Sequence, residues 1–120
     1  MTIHHNLPIY KECYELLGMS TDLVKNMPRD FKASMGRKIH EECIDMLVLV
    51  ARANAAKGVE KVPHLEQLQE SLSVAEILIR LSTDKKLISQ KQYAKAISVT
   101  SSIGRQVTGW RKFSANSPAA

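Results

Sequence analysis

Apolar residues recur at spacings of three and four along most of the chain. An α-helix advances about 100° per residue, so this spacing places the apolar side chains on one face of each helix. The pattern predicts four amphipathic helices, at about residues 8–26, 29–57, 63–86 and 90–113. The connections between them are short, which favours antiparallel neighbours. The predicted fold class is all-α: an antiparallel up-and-down four-helix bundle.

Proline, glycine and serine mark the predicted helix boundaries. Pro8 suits a first helical turn, and Pro28 disfavours helical backbone in the residue before it. Gly58 is a natural stop for the second helix. Ser89 and Gln92 have the spacing of a capping box, which begins the fourth helix. We therefore expect one domain at residues 8–113, between a flexible leader at 1–7 and a disordered tail at 114–120.

Some apolar residues lie away from the stripe that each helix needs for the bundle core. They occur on the second helix and on the C-terminal half of the third, and a helix that is apolar on two sides buries two sides. A chain of 120 residues has room for one core, so the second apolar side is expected to contact another subunit. The predicted interface, with the single tryptophan added, consists of Val48, Leu49, Ile77, Leu78, Leu81 and Trp110.

Positive charge is concentrated in the last third of the chain. Residues 1–80 carry a net charge of −1, whereas residues 81–120 carry +6, with Asp84 as their only acid. Such asymmetry indicates an anionic partner, either nucleic acid or a membrane surface. No apolar run approaches the roughly 20 residues of a membrane span, and no signal peptide is recognisable. We expect a cytoplasmic protein with reduced thiols that binds nucleic acid and no membrane.

The fourth helix carries the strongest candidate for a phosphate-binding surface. Lys91, Lys95, Ser98, Ser102 and Arg105 share an arc of about 80°, from the helical advance per residue. Cations and hydroxyls without an intervening acid are suited to phosphate contacts. A solvated basic face is the alternative. The predicted nucleic-acid-binding residues extend this row at both ends and add two arginines of the second helix: Lys85, Lys86, Lys91, Lys95, Arg105, Arg111, Lys112, Arg29 and Arg37.

The sequence offers little for catalysis or metal binding. Cys13 and Cys43 fall on apolar stripes, which is typical of inert core cysteines. His40 and Cys43 are an i, i+3 pair without further zinc ligands at useful spacing. The chain has no nucleophile elbow, phosphate-binding glycine loop or dinucleotide fingerprint. We expect no catalytic residues, no metal and no cofactor, although a small enzyme remains a third possibility.

Two segments resemble a known family. The first is the sequence Met27-Pro28-Arg29, with Phe31, Met35-Gly36 and Ile39 after it. The second comprises Arg80-Leu81, the run Lys86-Leu87-Ile88-Ser89 with Tyr93, and the run from Ile103 to Val107 with Gly109-Trp110-Arg111-Lys112. These segments are similar to the accessory variability determinant (Avd) proteins of diversity-generating retroelements, over about residues 8–113. A related group, the four-helix-bundle proteins of 23S ribosomal RNA intervening sequences, shares the architecture.

The resemblance implies properties that composition and periodicity do not. Avd proteins form ring-like homopentamers with a positively charged surface, bind RNA or DNA, and associate with a reverse transcriptase during mutagenic copying of a template RNA. They have no known catalytic activity. We therefore expect a non-enzymatic accessory protein that binds template RNA or its cDNA hybrid. The alternative is an oligomeric, protein-binding scaffold of the intervening-sequence type without a nucleic-acid function.

Overall fold

A computed structural model describes residues 4–118, and these residues contain helices and turns but no β-strand. The four long helices are α1 (Pro8–Lys25), α2 (Arg37–Ala55), α3 (Val62–Asp84) and α4 (Gln90–Ala115). Each helix packs on its neighbour in the chain, and α4 returns to pack on α1. The result is an antiparallel four-helix bundle of 50 × 21 × 20 Å, as the hydrophobic pattern predicted.

The helix ends follow the predicted signals closely. The Ser89 hydroxyl accepts a bond from the Gln92 amide at 3.0 Å, and the Gln92 side chain accepts one from the Ser89 amide at 2.9 Å. α4 continues to Ala115, two residues beyond the expected end, and Ser114 is buried. His4–Asn6, part of the predicted leader, forms one 3₁₀ turn. Residues 1–3 of that leader and 119–120 of the predicted tail lie outside the described residues.

The predicted second helix is not a single α-helix. It begins with one α-helical turn at Arg29–Phe31, continues as a π-helix at Lys32–Gly36 and then becomes α2. Gly36 packs directly on Val24 of α1, and a Cβ built at Gly36 would lie 2.6 Å from Val24 Cγ1. The glycine therefore allows the π segment to approach α1 more closely than any residue with a side chain would.

One continuous core fills the bundle, and all four long helices contribute to it. Leu16, Ile39, Met46, Ile79 and Ile103 are among its largest fully buried side chains. Aliphatic residues dominate because they fill the space between helices without polar groups that need partners. The core takes up one face of every helix, so the outward faces are available for other purposes.

Candidate nucleic-acid interface

The antiparallel topology brings two separate basic segments to one end of the bundle. The connection between α1 and α2 lies at the same end as the turn between α3 and α4. Two contacts demonstrate this placement. The Ser82 hydroxyl donates to Met35 Sδ at 3.0 Å, and Asp22 of α1 lines a surface groove together with Lys91 of α4. Residues more than 50 positions apart in sequence therefore share one surface.

We call this surface the basic end, and define it by six exposed cations. None of the six forms an ion pair with another described residue. Three carboxylates, Asp22, Asp30 and Asp84, belong to the same segments, so positive charge is in excess. Solvated like charges at close spacing repel one another unless an anion compensates them. The six residues are Lys25, Arg29, Lys32, Lys85, Lys86 and Lys91.

Lys86 occupies an unusual backbone position within the basic end. Its φ of 60° is the only positive φ of a non-glycine residue among those described. The amides of Lys86 and Leu87 donate to the carbonyls of Thr83 at 3.0 Å and Ser82 at 2.8 Å, which is the Schellman pattern that ends α3. Glycine is preferred at this position because a Cβ is disfavoured there. A lysine thus occupies a position where glycine would be more stable.

A carboxylate from α1 interrupts the predicted acid-free row on α4. The Ser102 hydroxyl donates to Glu12 Oε1 at 2.6 Å, and the Gln106 amide donates to the other oxygen of the same carboxylate. The expectation of an uninterrupted basic row was therefore wrong at Ser102. The pattern of one helix did not reveal an acid that a neighbouring helix supplies. Glu12 now separates Lys95 from Arg105 along the α4 surface.

Of three other predicted binding residues, two form ion pairs within the chain and one lies far from the basic end. Arg111 Nη2 lies 3.1 Å from Glu66 Oε2, and Arg111 Nη1 donates to Gln69 at 3.0 Å, so this arginine ties α4 to α3. Arg37 forms an i, i+4 ion pair with Glu41 at 3.1 Å. Lys112 is exposed, but 21 residues of helix, about 31 Å, separate it from Lys91.

Apart from Arg37, the predicted site residues fall into two groups. Arg29, Lys85, Lys86 and Lys91 meet at the basic end, with Lys95 one turn further along α4. Arg105, Arg111 and Lys112 lie beyond Glu12 towards the opposite end. Lys25 and Lys32, which were not among the predicted residues, join the first group. The only signal of Lys25 in the sequence was a basic residue in a last helical turn, which helix termini commonly carry without any binding role.

Some of the predicted interface residues are exposed to solvent, and others are buried within the chain. Val48, Ile77 and Leu81 are exposed at 42%, 65% and 37%, and Ile44 joins them at 42%. Leu49 is instead a core residue of the chain itself, at 6% exposure, because α3 packs closely over that side of α2. Leu78 and Trp110 are partly buried against the core.

Trp110 is placed by contacts within the chain. Its ring lies 5.9 Å from the ammonium of Lys61, a cation–π contact. The same ammonium donates to the carbonyls of Ala53 at 2.8 Å, Asn54 at 3.2 Å and Ala56 at 2.5 Å, the last carbonyls of α2 and its C-cap. Burial lowers the pKa of Lys61. Lys61 therefore caps α2 and holds the start of α3 against α4.

The surroundings of Cys13 and Cys43 make both thiols unreactive. Burial, followed by the charge of the neighbouring Cys43, raises the pKa of the Cys13 thiol to about 12. Burial likewise raises the pKa of the Cys43 thiol to about 12, against a smaller opposing effect of the neighbouring Ser20 hydroxyl. The thiolate is the reactive form, so neither cysteine is a nucleophile near neutral pH. No group of three or more potential metal ligands occurs within residues 4–118.

Two glycines within helices face outward, where no contact with another described residue requires a glycine. A Cβ at Gly18 or Gly109 would meet no heavy atom within 4 Å, whereas one at Gly104 would touch Leu72 at an ordinary 3.5 Å. Glycine within a helix costs about 1 kcal/mol relative to alanine. Close approach of another helix would justify that cost. Only Gly104 has such a neighbour within the described part of the chain.

A comparison with protein-family models decides the family. The bAvd-like model matches residues 7–114, which is nearly the whole chain and includes all four long helices. The chain belongs to the bAvd-like family. This confirms the resemblance found in the two sequence segments. The comparison with curated proteins finds no match.

Membership in the bAvd-like family is consistent with the geometry of the chain. The match begins one residue before α1 and ends one residue before the end of α4, so the family model corresponds to the bundle itself. The bAvd-like family is not a known enzyme family. Within the part of the chain that the structure describes, no helix is both long and apolar enough to cross a membrane.

Proposed function

We propose that this bAvd-like chain is a non-enzymatic accessory protein of a diversity-generating retroelement. It binds nucleic acid, either the template RNA or its cDNA hybrid, and associates with the reverse transcriptase to support mutagenic copying. The observation that carries the proposal is the basic end, where six exposed cations from two segments lie together without ion-pair partners among the described residues. Its role is positioning of the RNA and the enzyme, in the cytoplasm, without chemistry of its own.

Phosphate is the group that the basic end is suited to bind. Five of the six cations are lysines, which act as flexible point charges rather than as planar forks for base edges. Contacts of this kind release counterions from the nucleic acid and contribute affinity that depends little on sequence. We therefore expect binding to structured RNA, duplex DNA and hybrids, with weak discrimination between sequences.

The exposed apolar residues support self-association as a part of this function. Ile44 and Val48 on α2 and Ile77 and Leu81 on α3 expose apolar side chains to water. A homopentameric ring is the arrangement that the family resemblance implies. Cyclic symmetry would place the basic ends of all subunits in equivalent positions around the axis. Their fields would add, which strengthens the attraction for a polyanion.

The decisive experiment measures fluorescence anisotropy of a structured RNA and a duplex DNA over a salt series. We expect the logarithm of the binding constant to fall linearly with the logarithm of salt concentration. Lys86→Glu/Lys91→Glu reverses two charges of the basic end, and Arg52→Glu/Lys57→Glu is the matched control near the opposite end of α2. The first variant should bind at least tenfold more weakly at about 0.1 M salt, and the control should bind within about threefold of the unmodified protein.

Each other result has a definite meaning. Equal losses in the two double variants would show that only net charge matters, and the assignment of the basic end would fail. Absence of binding even at low salt would reject the nucleic-acid function altogether. The exposed apolar residues of α2 and α3 would then support the alternative function, an oligomeric scaffold that binds protein.

A further inference from the structure

A shallow groove runs along α1 beside α2, on the side of α1 that faces away from α4. Tyr10, Tyr14, Gly18 and Thr21 follow one another along it at spacings of four, four and three residues, and His40 of α2 lines its other wall. The ring of Tyr14 is 58% exposed although it lies in the middle of a helix. The groove therefore offers a flat aromatic surface that no described residue of the chain covers.

The groove continues towards the basic end. A second groove begins where the first one stops, and both are lined by Thr21 and His40. Lys25 and Lys32, two of the cations that define the basic end, line this second groove. Lys11 and Glu15 line the first groove beside the tyrosines, and the ion-paired Arg37 and Glu41 also line the second. An anionic strand that contacts the basic end could thus extend along α1 past Lys25, Lys32 and Lys11, with Glu15 as the one unpaired carboxylate among the described lining residues.

The open position at Gly18 gives room beside Tyr14. A Cβ there would meet no atom within 4 Å, so the glycine leaves bare helix surface one turn from the tyrosine ring. A planar ligand that stacks on Tyr14 can therefore lie close to the backbone. Because no described residue packs on this position, it is open to an external contact.

His40 supplies a polar group on the opposite wall. The Ser20 hydroxyl donates to the Leu17 carbonyl at 2.6 Å, so Ser20 Oγ accepts a hydrogen bond from His40 Nδ1 at 3.0 Å. This hydrogen-bond pattern corresponds to the neutral tautomer with its hydrogen on Nδ1, in which Nε2 is an acceptor. Amino groups on the edges of bases are donors that match such an acceptor.

We propose that the α1–α2 groove binds unpaired bases of a single-stranded nucleic acid, which stack on Tyr14 while the backbone runs towards Lys25 and Lys32. Exposed aromatic rings flanked by cations are the elements that single-strand-binding surfaces combine. Bases within a duplex are already stacked and cannot reach the tyrosine. This inference rests on the proposed nucleic-acid function and adds a preference that the basic end alone does not supply.

The test compares a fluorescein-labelled 12-nucleotide RNA strand with the corresponding duplex by anisotropy, using the full chain. Stacking of one base on an aromatic ring raises the affinity roughly five- to 150-fold. Tyr14→Ala should weaken single-strand binding by about tenfold and change duplex binding by less than about twofold. Tyr14→Phe keeps the ring and should bind like the unmodified protein. Gly18→Leu fills the open space and should weaken single-strand binding similarly.

Phe113→Ala is the matched control, because Phe113 is also an exposed aromatic, at 76%, but lies outside the groove, on α4 at the end of the bundle opposite the basic end. It should leave single-strand binding unchanged. Equal binding of Tyr14→Ala and the unmodified protein would overturn the inference. So would an equal loss for strand and duplex, or a change in sedimentation that makes the groove a subunit contact.

The same titrations separate this inference from the proposed function. If Lys86→Glu/Lys91→Glu weakens binding while Tyr14→Ala does not, the basic end stands and the stacking groove fails. If the unmodified protein binds neither strand nor duplex at low salt, both fail together. Circular dichroism of each variant verifies the fold, which these exposed substitutions should preserve.

Discussion

The contact between Gly36 and Val24 makes a quantitative prediction about stability. Gly36 has helical backbone angles of −62° and −44°, so alanine could adopt its conformation without strain. A Cβ at this position, however, would lie 2.6 Å from Val24 Cγ1 and 3.1 Å from Val24 Cγ2. Carbon atoms in favourable contact are about 3.5–4.0 Å apart. Gly36→Ala therefore creates an overlap of roughly 1 Å at its worst, relative to that contact distance.

Two opposing effects set the size of the change. Overpacking of a core typically costs about 1–3 kcal/mol. Replacement of glycine by alanine in a helix returns about 1 kcal/mol. Val24 is β-branched, so its rotamer cannot easily turn away from the new methyl group. We expect Gly36→Ala to lower the free energy of unfolding by about 1 kcal/mol, the balance of these two ranges.

Gly18→Ala is the matched control, since a Cβ there meets nothing within 4 Å. It should raise the free energy of unfolding by up to about 1 kcal/mol, which leaves a gap of about 2 kcal/mol between the two variants. Urea denaturation followed by circular dichroism at one fixed protein concentration measures both values, because self-association would otherwise shift them. Adding Val24→Ala to Gly36→Ala removes the overlapping methyl groups and should be less harmful than the sum of the single changes.

The reasoning would be refuted if Gly36→Ala stabilised the protein as much as Gly18→Ala does. Helix propensity would then be the only effect, and the close approach of the π segment to α1 would have no energetic consequence. Additive behaviour of Val24→Ala and Gly36→Ala would lead to the same conclusion. Coupling between them would instead locate the strain in this one contact.

Two further predictions follow from Lys86 and the cysteines. Lys86→Gly should raise the free energy of unfolding by about 1 kcal/mol, because φ is 60° there, and should weaken RNA binding; stronger binding or lower stability in the same urea and anisotropy assays would contradict this. Cys13 and Cys43 should not react with Ellman's reagent at pH 8 until urea unfolds the chain, since burial raises the pKa of both thiols to about 12. Their ordinary value is 9.0, so between pH 9 and 12 the unfolded thiols lose protons that the folded ones keep, and stability should fall as pH rises through this window. Rapid labelling of the folded protein, or urea midpoints that do not fall between pH 8 and 10, would show that the thiols are accessible.

The sequence predicted contacts within one helix correctly, but it did not reveal contacts between helices. The capping box of Ser89 and Gln92 was predictable, because its two partners lie three residues apart and interact locally. Glu12 was not predictable as a partner of Ser102, because 90 residues separate them in sequence. Leu49 shows the same limit, since its distance from the stripe on α2 did not reveal that α3 covers it.

The sequence by itself determined the helices and the class of the fold. Apolar spacing, proline, glycine and capping residues act over three or four positions, so they can be interpreted along the chain without knowledge of its neighbours. It also determined the family, through residues 7–114. The tertiary structure decided which charges meet. Lys25 and Arg29 share one end with Lys91 only because antiparallel packing brings two distant segments together, and charge interactions depend on distance in space rather than along the chain.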